Sequence, residues 1–113
     1  MNSEQSKAIK MINEVMIYFF NHHFSDLEMS LNVKEKKTVI SVSGYSKTQP
    51  DDLVEVSESL LHPRQPEVEE YYWRLLGTNN KTNQLHLLGA LVDDVSIMYE
   101  ENLLTVQLIR HHI

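Results

Sequence analysis

Glu14, Tyr18 and His22 stand four residues apart in the segment EVMIYFFNHH. On a helix that spacing lines up a carboxylate, a phenol and an imidazole in one slowly drifting row, about 40° per step. A carboxylate can serve as a general base, but as a bare sequence feature Glu14 reads as an ordinary helix-edge glutamate. The segment ISVSGYSKTQPDDL follows about twenty residues later.

The remaining chemistry-bearing residues do not converge. His22 and His23 project about 100° apart on a helix, and His111 and His112 face opposite sides of a strand. None of the six histidines lies in an H-x-x-x-H or H-E-x-x-H pattern. Asp93 and Asp94 are adjacent, so they do not form a carboxylate dyad. Three glycines build neither a P-loop nor a G-x-S-x-G turn. The chain has no cysteine, which removes disulfides, thiol chemistry and zinc sites built on thiolates. No metal and no cofactor is expected.

A chain of 113 residues makes one domain, residues 1–113, large enough to bury a core without a metal or disulfide. The net charge of −6 disfavours phosphate backbones, so no nucleic-acid partner is expected. Residues 51–70 carry seven acidic side chains against the single Arg64, which reads as a solvated helix face or a patch for a basic partner. No apolar run approaches the roughly eighteen residues that span a bilayer. The segment MNSEQSKAIK has no signal-peptide character, so a cytoplasmic, membrane-free protein is expected.

The elements that must position these residues follow from periodicity. Residues 4–24 read as one helix, with Ala8, Ile9, Ile12, Val15, Met16, Phe19 and His23 on a broad apolar face. The period then switches to two: Leu27, Met29, Leu31 and Val33, then Ile40 and Val42, predict a hairpin over 27–44. Val39 breaks that alternation. Pro50, Asp51 and Asp52 suit a helix start, and the helix should run to Leu61 with Leu53, Val56, Leu60 and Leu61 buried. HPRQP ends it, Pro66 opens PEVEEYYWRLL, and Gly77 would cap that helix. GTNNKTN reads as a loop. A helix from Gln84 carries Leu85, Leu87, Leu88, Leu91 and Val92, and two strands around VSIMY and LLTVQLIR turn at Glu101 and Asn102. This order predicts an α+β, two-layer α/β sandwich: a mixed or antiparallel sheet with helices on one face.

With that order in place, the chain resembles the GHKL superfamily, which includes the ATP-binding domains of histidine kinases and the anti-sigma-factor kinases. Glu14 and His22 match the outer positions of its E-x-x-x-N-x-x-x-H helix motif, with Tyr18 in place of Asn. ISVSGYS lies where a strand should enter D-x-G-x-G, with Gly44 at the Asp position and Ser46 at the first Gly. TNQLHLLGALVDDVSIMYEENLLTVQLIR looks like the element after the nucleotide lid, with Thr82 and Gln84 where glycines belong. LVDDVSI matches the family's helix-to-strand junction. The resemblance covers residues 8–110 and implies a Bergerat-like fold, shortened at its N-terminus.

The departures bear on chemistry. In the family the Asn helps hold Mg²⁺, which wants hard oxygen ligands, and a phenol is a poor substitute. The Asp recognises adenine, and Gly44 has no side chain to do so. The lost glycines would let backbone N–H groups approach phosphates. The resemblance therefore implies a pseudoenzyme with a degenerate pocket at Glu14, Tyr18, His22, Gly44, Tyr45 and Ser46. Tyr18 would plug what Asn leaves open. The implied task is regulatory protein binding in bacterial-type signalling. Tyr71, Tyr72 and Trp73, where the lid would begin, are candidate contacts, since Tyr and Trp anchor interfaces. Two other readings stay open: a nucleotide or small-molecule sensor without turnover, using Glu14, Tyr18 and Tyr45 around a reshaped pocket, and an unrelated α+β homodimer pairing through its sheet edge or polar sheet face.

Overall fold

A computed structural model describes residues 1–76 and 84–112. The first helix, α1, spans Ser3–Asn21. Asn2 and Gln5 close its start reciprocally: Asn2 Oδ1 accepts the Gln5 N–H at 2.8 Å, and Gln5 Oε1 accepts the Asn2 N–H at 2.9 Å. The helix stops earlier than its apolar period predicts. Phe24 N–H bonds to Phe19 O and His23 N–H to Phe20 O, the paired bonds of a Schellman ending. The Phe19 and Phe24 rings, 5.0 Å apart, supply the apolar contact that goes with it. His23 sits in the left-handed region, at φ 68°, and is exposed rather than on the buried face.

Four strands make one antiparallel sheet in the order β1-β2-β4-β3: β1 Leu27–Val33, β2 Lys37–Tyr45, β3 Asp94–Glu100 and β4 Leu103–His111. Glu101 and Asn102, at φ 51° and 66°, make the turn between β3 and β4, and two left-handed residues match the twist of the strands they join. β2 begins at Lys37, and Val39 fits its alternation by facing away from the helices. Ile40 and Val42 of β2 and Leu104, Val106 and Leu108 of β4 point inward, where Met11, Val15 and Phe19 of α1 meet them. The architecture is a two-layer α/β sandwich with helices on one face.

The second helix, α2, is Leu53–Leu60, shorter than expected at both ends. Pro50, Asp51 and Asp52 form the turn that leads into it, closed by Leu53 N–H to Pro50 O. Leu53 and Leu60 are buried, Val56 half-buried, and Leu61 lies outside the helix with 72% of its surface exposed. A 3₁₀ turn at Pro66–Val68 leads into α3, Glu69–Leu75. The expected cap at Gly77 and the GTNNKTN loop lie outside the described residues. Leu85–Ala90 forms a 3₁₀ helix rather than an α-helix, yet Leu85, Leu88, Leu91 and Val92 are buried as expected. Gly89 lets it approach α2: a Cβ there would lie 2.9 Å from Ser59 O.

One ionic network ties these layers together. Arg110, near the end of β4, is 4% exposed and points into the helical layer. Its Nε lies 3.0 Å from Glu4 Oε1, and its Nη1 lies 2.9 Å from Glu69 Oε1 and donates to Leu91 O at 2.7 Å. Its guanidinium also stacks 5.2 Å over the Trp73 ring. Glu69 Oε2 accepts from Arg64, whose Nη1 reaches Asp93 and the His111 carbonyl, each at 2.9 Å. Burial disfavours the charged forms of Glu4 and Glu69. Hydrogen bonds and charge outweigh it, from Arg110 and then Lys7 at Glu4 and from Arg64 and then Arg110 at Glu69, and hold both carboxyls below their ordinary value of 4.5.

Breaking a buried pair strands the remaining charges, so Arg110→Met should lose about 3 kcal/mol in urea unfolding at neutral pH. The carboxyls are depressed in the folded state, so their contribution is present above 4.5 and is lost as the pH falls below it. Wild-type stability should therefore fall with acid through that range, and the fall should be shallower in Arg110→Met.

Candidate functional site

The row on α1 reaches two destinations. Glu14 is fully buried, and its Oε2 lies 3.3 Å from the Gln84 backbone N–H, which brings together the first and last segments of the resemblance. Tyr18 is also fully buried, and its hydroxyl donates to Asp52 Oδ1 at 2.8 Å. Burial first, then the Asp52 hydrogen bond and charge, and then Asp51, push the phenol well above its ordinary pKa, so Tyr18 stays neutral. His22 is the C-cap residue of α1. Its Nδ1 lies 2.9 Å from the Tyr18 carbonyl and its Nε2 lies 2.9 Å from Asp52 Oδ1, with the Tyr18 and His22 rings 4.3 Å apart.

Asp52 is thus where Tyr18 and His22 meet. In the sequence it reads only as an acid favouring a helix start; its distance along the chain from His22 gives no spacing signal. Asp51 stands beside it, with one ligand atom each from His22, Asp51 and Asp52 all within 4.8 Å of one another. A groove of about 600 Å³ opens there, lined by His22, Ser46, Thr48, Gln49 and Asp51 among others.

Of the other candidates, Ser46 lines this same groove, whereas Gly44 and Tyr45 lie apart from it. Gly44 and Tyr45 line a smaller hollow of about 220 Å³ with Asp26, Leu27, Glu28, Ser43 and Leu103. Neither concavity includes Glu14. A side chain at Gly44 would be tight: a Cβ would lie 3.0 Å from Leu27 Cδ2, 3.1 Å from Phe24 Cδ2 and 3.2 Å from Asp26 O, so these neighbours would have to give way. Tyr45 is exposed. Ser46 Oγ turns back onto Thr48, and its carbonyl accepts from the Tyr99 hydroxyl at 2.6 Å. Thr82 lies outside the described residues. The aromatic cluster divides: Trp73 is buried between Lys7 and Arg110, Tyr72 is half-buried against the core, and Tyr71 is half-exposed.

No protein-family model matches this chain, and no curated protein is significantly similar to it. Its surface therefore has to speak for its function. Among the described residues, no helix is long and apolar enough to cross a membrane.

Part of the exposed apolar surface lies on α1 and the outer strand β1. Met29 and Leu31 pair with Val42 and Ile40, so they lie on the helix-facing side of β1, yet they are 50% and 40% exposed. The equivalent residues of β3, the other outer strand, are Val95, Ile97 and Tyr99, and these pack against the core. α1 lies over β1 and β2. Its Glu14–Tyr18 edge turns toward Gln84 and Asp52, so Ile9, Ile12, Met16 and Phe20 on the opposite edge border β1. Ile9 and Phe20 are half-exposed.

Gly44→Asp supplies the acid that the resemblance lacks, but it must displace Leu27, Phe24 or the backbone at Asp26. It should lose about 2 kcal/mol in urea unfolding, with no ATP binding in titration calorimetry. A stable variant that binds ATP would contradict this account.

Proposed function

We propose that this chain is a non-catalytic domain that acts by protein association, a degenerate member of the histidine-kinase-like group serving regulation in bacterial-type signalling. Two features support the non-catalytic part. The Tyr18 hydroxyl is engaged by Asp52, and an acidic side chain at Gly44 would crowd Leu27, Phe24 and the Asp26 carbonyl. The order of helices and strands supports the kinship.

The observation that carries the proposal is the β1 edge. An outer strand offers unpaired N–H and C=O groups to any strand that docks beside it. Here it is flanked by Met29 and Leu31 on one side of the strand and by the Ile9–Phe20 stripe above. Contiguous exposed apolar surface of this kind marks an interaction site. A second copy of the chain fits it. Antiparallel pairing about Ser30 sets Met29 against the partner's Leu31 and Glu28 against the partner's Asn32, so no like charges oppose.

Sedimentation velocity across a concentration series should show a monomer–dimer equilibrium. The double variant Met29→Lys, Leu31→Lys should shift it to monomer while leaving far-UV circular dichroism and the urea midpoint close to wild type, since both side chains are already half in water. A wild-type chain that stays monomeric throughout, or a variant that still dimerises, would refute pairing through β1.

A further inference from the structure

We propose that His22, Asp51 and Asp52 form a binding site for a divalent transition-metal ion, with one imidazole and two carboxylates as ligands. The argument starts from the His22 ring. Nδ1 lies 2.9 Å from the Tyr18 carbonyl oxygen, which can only accept. That bond needs the ring proton on Nδ1, and it leaves the Nε2 lone pair directed at Asp52 Oδ1, 2.9 Å away. Two acceptors do not face each other at that distance without something positive between them. At 2.9 Å a second ring proton fills that place as a hydrogen bond, and a metal ion takes the proton's place once the two atoms part to ligand spacing.

The surroundings match what a metal needs. A histidine ligand is normally fixed by donating its other N–H to a backbone carbonyl or carboxylate, and a carboxylate ligand is normally oriented by a hydrogen bond of its own. His22 has the first arrangement, and Asp52 has the second through the buried Tyr18 hydroxyl. Asp51 adds a second carboxylate on an exposed side chain, free to swing inward. The three donor atoms lie within 4.8 Å of one another. Tetrahedral ligands at about 2.1 Å stand roughly 3.4 Å apart, so closure asks for a small opening at Asp52 and an inward turn of Asp51. Among the described residues, no Lys or Arg forms an ion pair with either aspartate, so the two negative charges are not already neutralised by one. The groove beside His22 and Asp51 leaves room for ion entry and for a water in the remaining position.

A single imidazole with two carboxylates suits zinc, manganese or iron better than a soft-metal site would, and neither thiolate nor thioether takes part. His23, the neighbour that the sequence pairs with His22, is not among the ligands. It lies in the left-handed turn and is exposed. The site is assembled by the helix ending: the Schellman turn leaves His22 at the C-cap, level with the Asp51–Asp52 turn that precedes α2.

The test is titration calorimetry of the chelator-treated protein with zinc chloride, and separately with manganese and magnesium chloride, with thermal unfolding alongside. The expected result is one zinc per chain and a higher unfolding temperature with zinc. Asp51→Asn, at an exposed position, and His22→Gln should each abolish that site. Tyr18→Phe should weaken zinc about tenfold by releasing Asp52, while keeping every ligand. A cobalt(II)-loaded sample should show a ligand-field spectrum that Asp51→Asn removes. Zinc binding unchanged in Asp51→Asn and His22→Gln would assign the ion to other histidines and overturn the proposal, as would no binding by the wild-type chain.

Discussion

Arg110 is the constraint from which most of this structure follows. It occupies an inward position on β4, where the alternation of Leu104, Val106 and Leu108 calls for another apolar side chain. A buried guanidinium is tolerable only when its charge and donors are matched. Glu4 from the first turn of α1 and Glu69 from the start of α3 supply that match, with the Leu91 carbonyl. Three segments distant in the chain are therefore pinned to one end of the sheet. Arg64 doubles the tie by joining Glu69 to Asp93 and to the β4 backbone. Trp73 is drawn inward with α3 because its ring stacks on the same guanidinium. This is why Tyr71, and not the tryptophan, is the part of the aromatic cluster that faces water.

Pinning the start of α1 also fixes its rotation. With Glu4 held against Arg110, the Glu14–Tyr18 edge turns toward α2 and the 3₁₀ helix, and the Ile9–Phe20 edge turns toward β1. A helix buried along one face has two borders, and here their surroundings differ. One border is covered by later segments, so its polar atoms must be satisfied inside: Glu14 by the Gln84 amide among its contacts, Tyr18 by Asp52. Among the described residues, the other border meets an outer strand. Arg110 and Arg64 tie Glu69 of α3 to the β4 and β3 end of the sheet, and Met29 and Leu31 stay half-exposed while β3's own inward residues pack against the core.

Strands and turns were legible because their signals are local. Period-two alternation located β1 to the residue, Glu101 and Asn102 marked the tight turn, and Pro66 marked the entry to α3. The two-layer architecture followed from element order. What was not legible depended on geometry across the chain. The α1 ending escaped notice because a histidine, not a glycine, takes the left-handed position, and the Phe19–Phe24 contact that stabilises it looks like continued helix period. Leu61 reads as one more apolar residue, but the helix ends beneath it. The candidate site was half visible: Tyr18 and His22 were marked by their spacing, whereas Asp52 became their partner only because the turn that precedes α2 is brought to the end of α1. Gly44 was visible as a missing acid, but only packing reveals that Leu27 and Phe24 occupy the place an acid would need.

A spacing of four along a helix delivers side chains to one edge; it does not decide what they do there. Glu14, Tyr18 and His22 illustrate the difference. The first two lie deep, where an ionisable or hydroxyl group must be tied to a partner, and they are tied. His22 lies one step further, where the helix has ended and the groove begins. Its ring is held from behind by a carbonyl and presents its other nitrogen to a carboxylate at the edge of solvent. The chemistry that the row retains is therefore concentrated at its exposed end. There Tyr18 acts on Asp52 through its hydroxyl and on His22 through its carbonyl, so one buried tyrosine orients both groups of the pair.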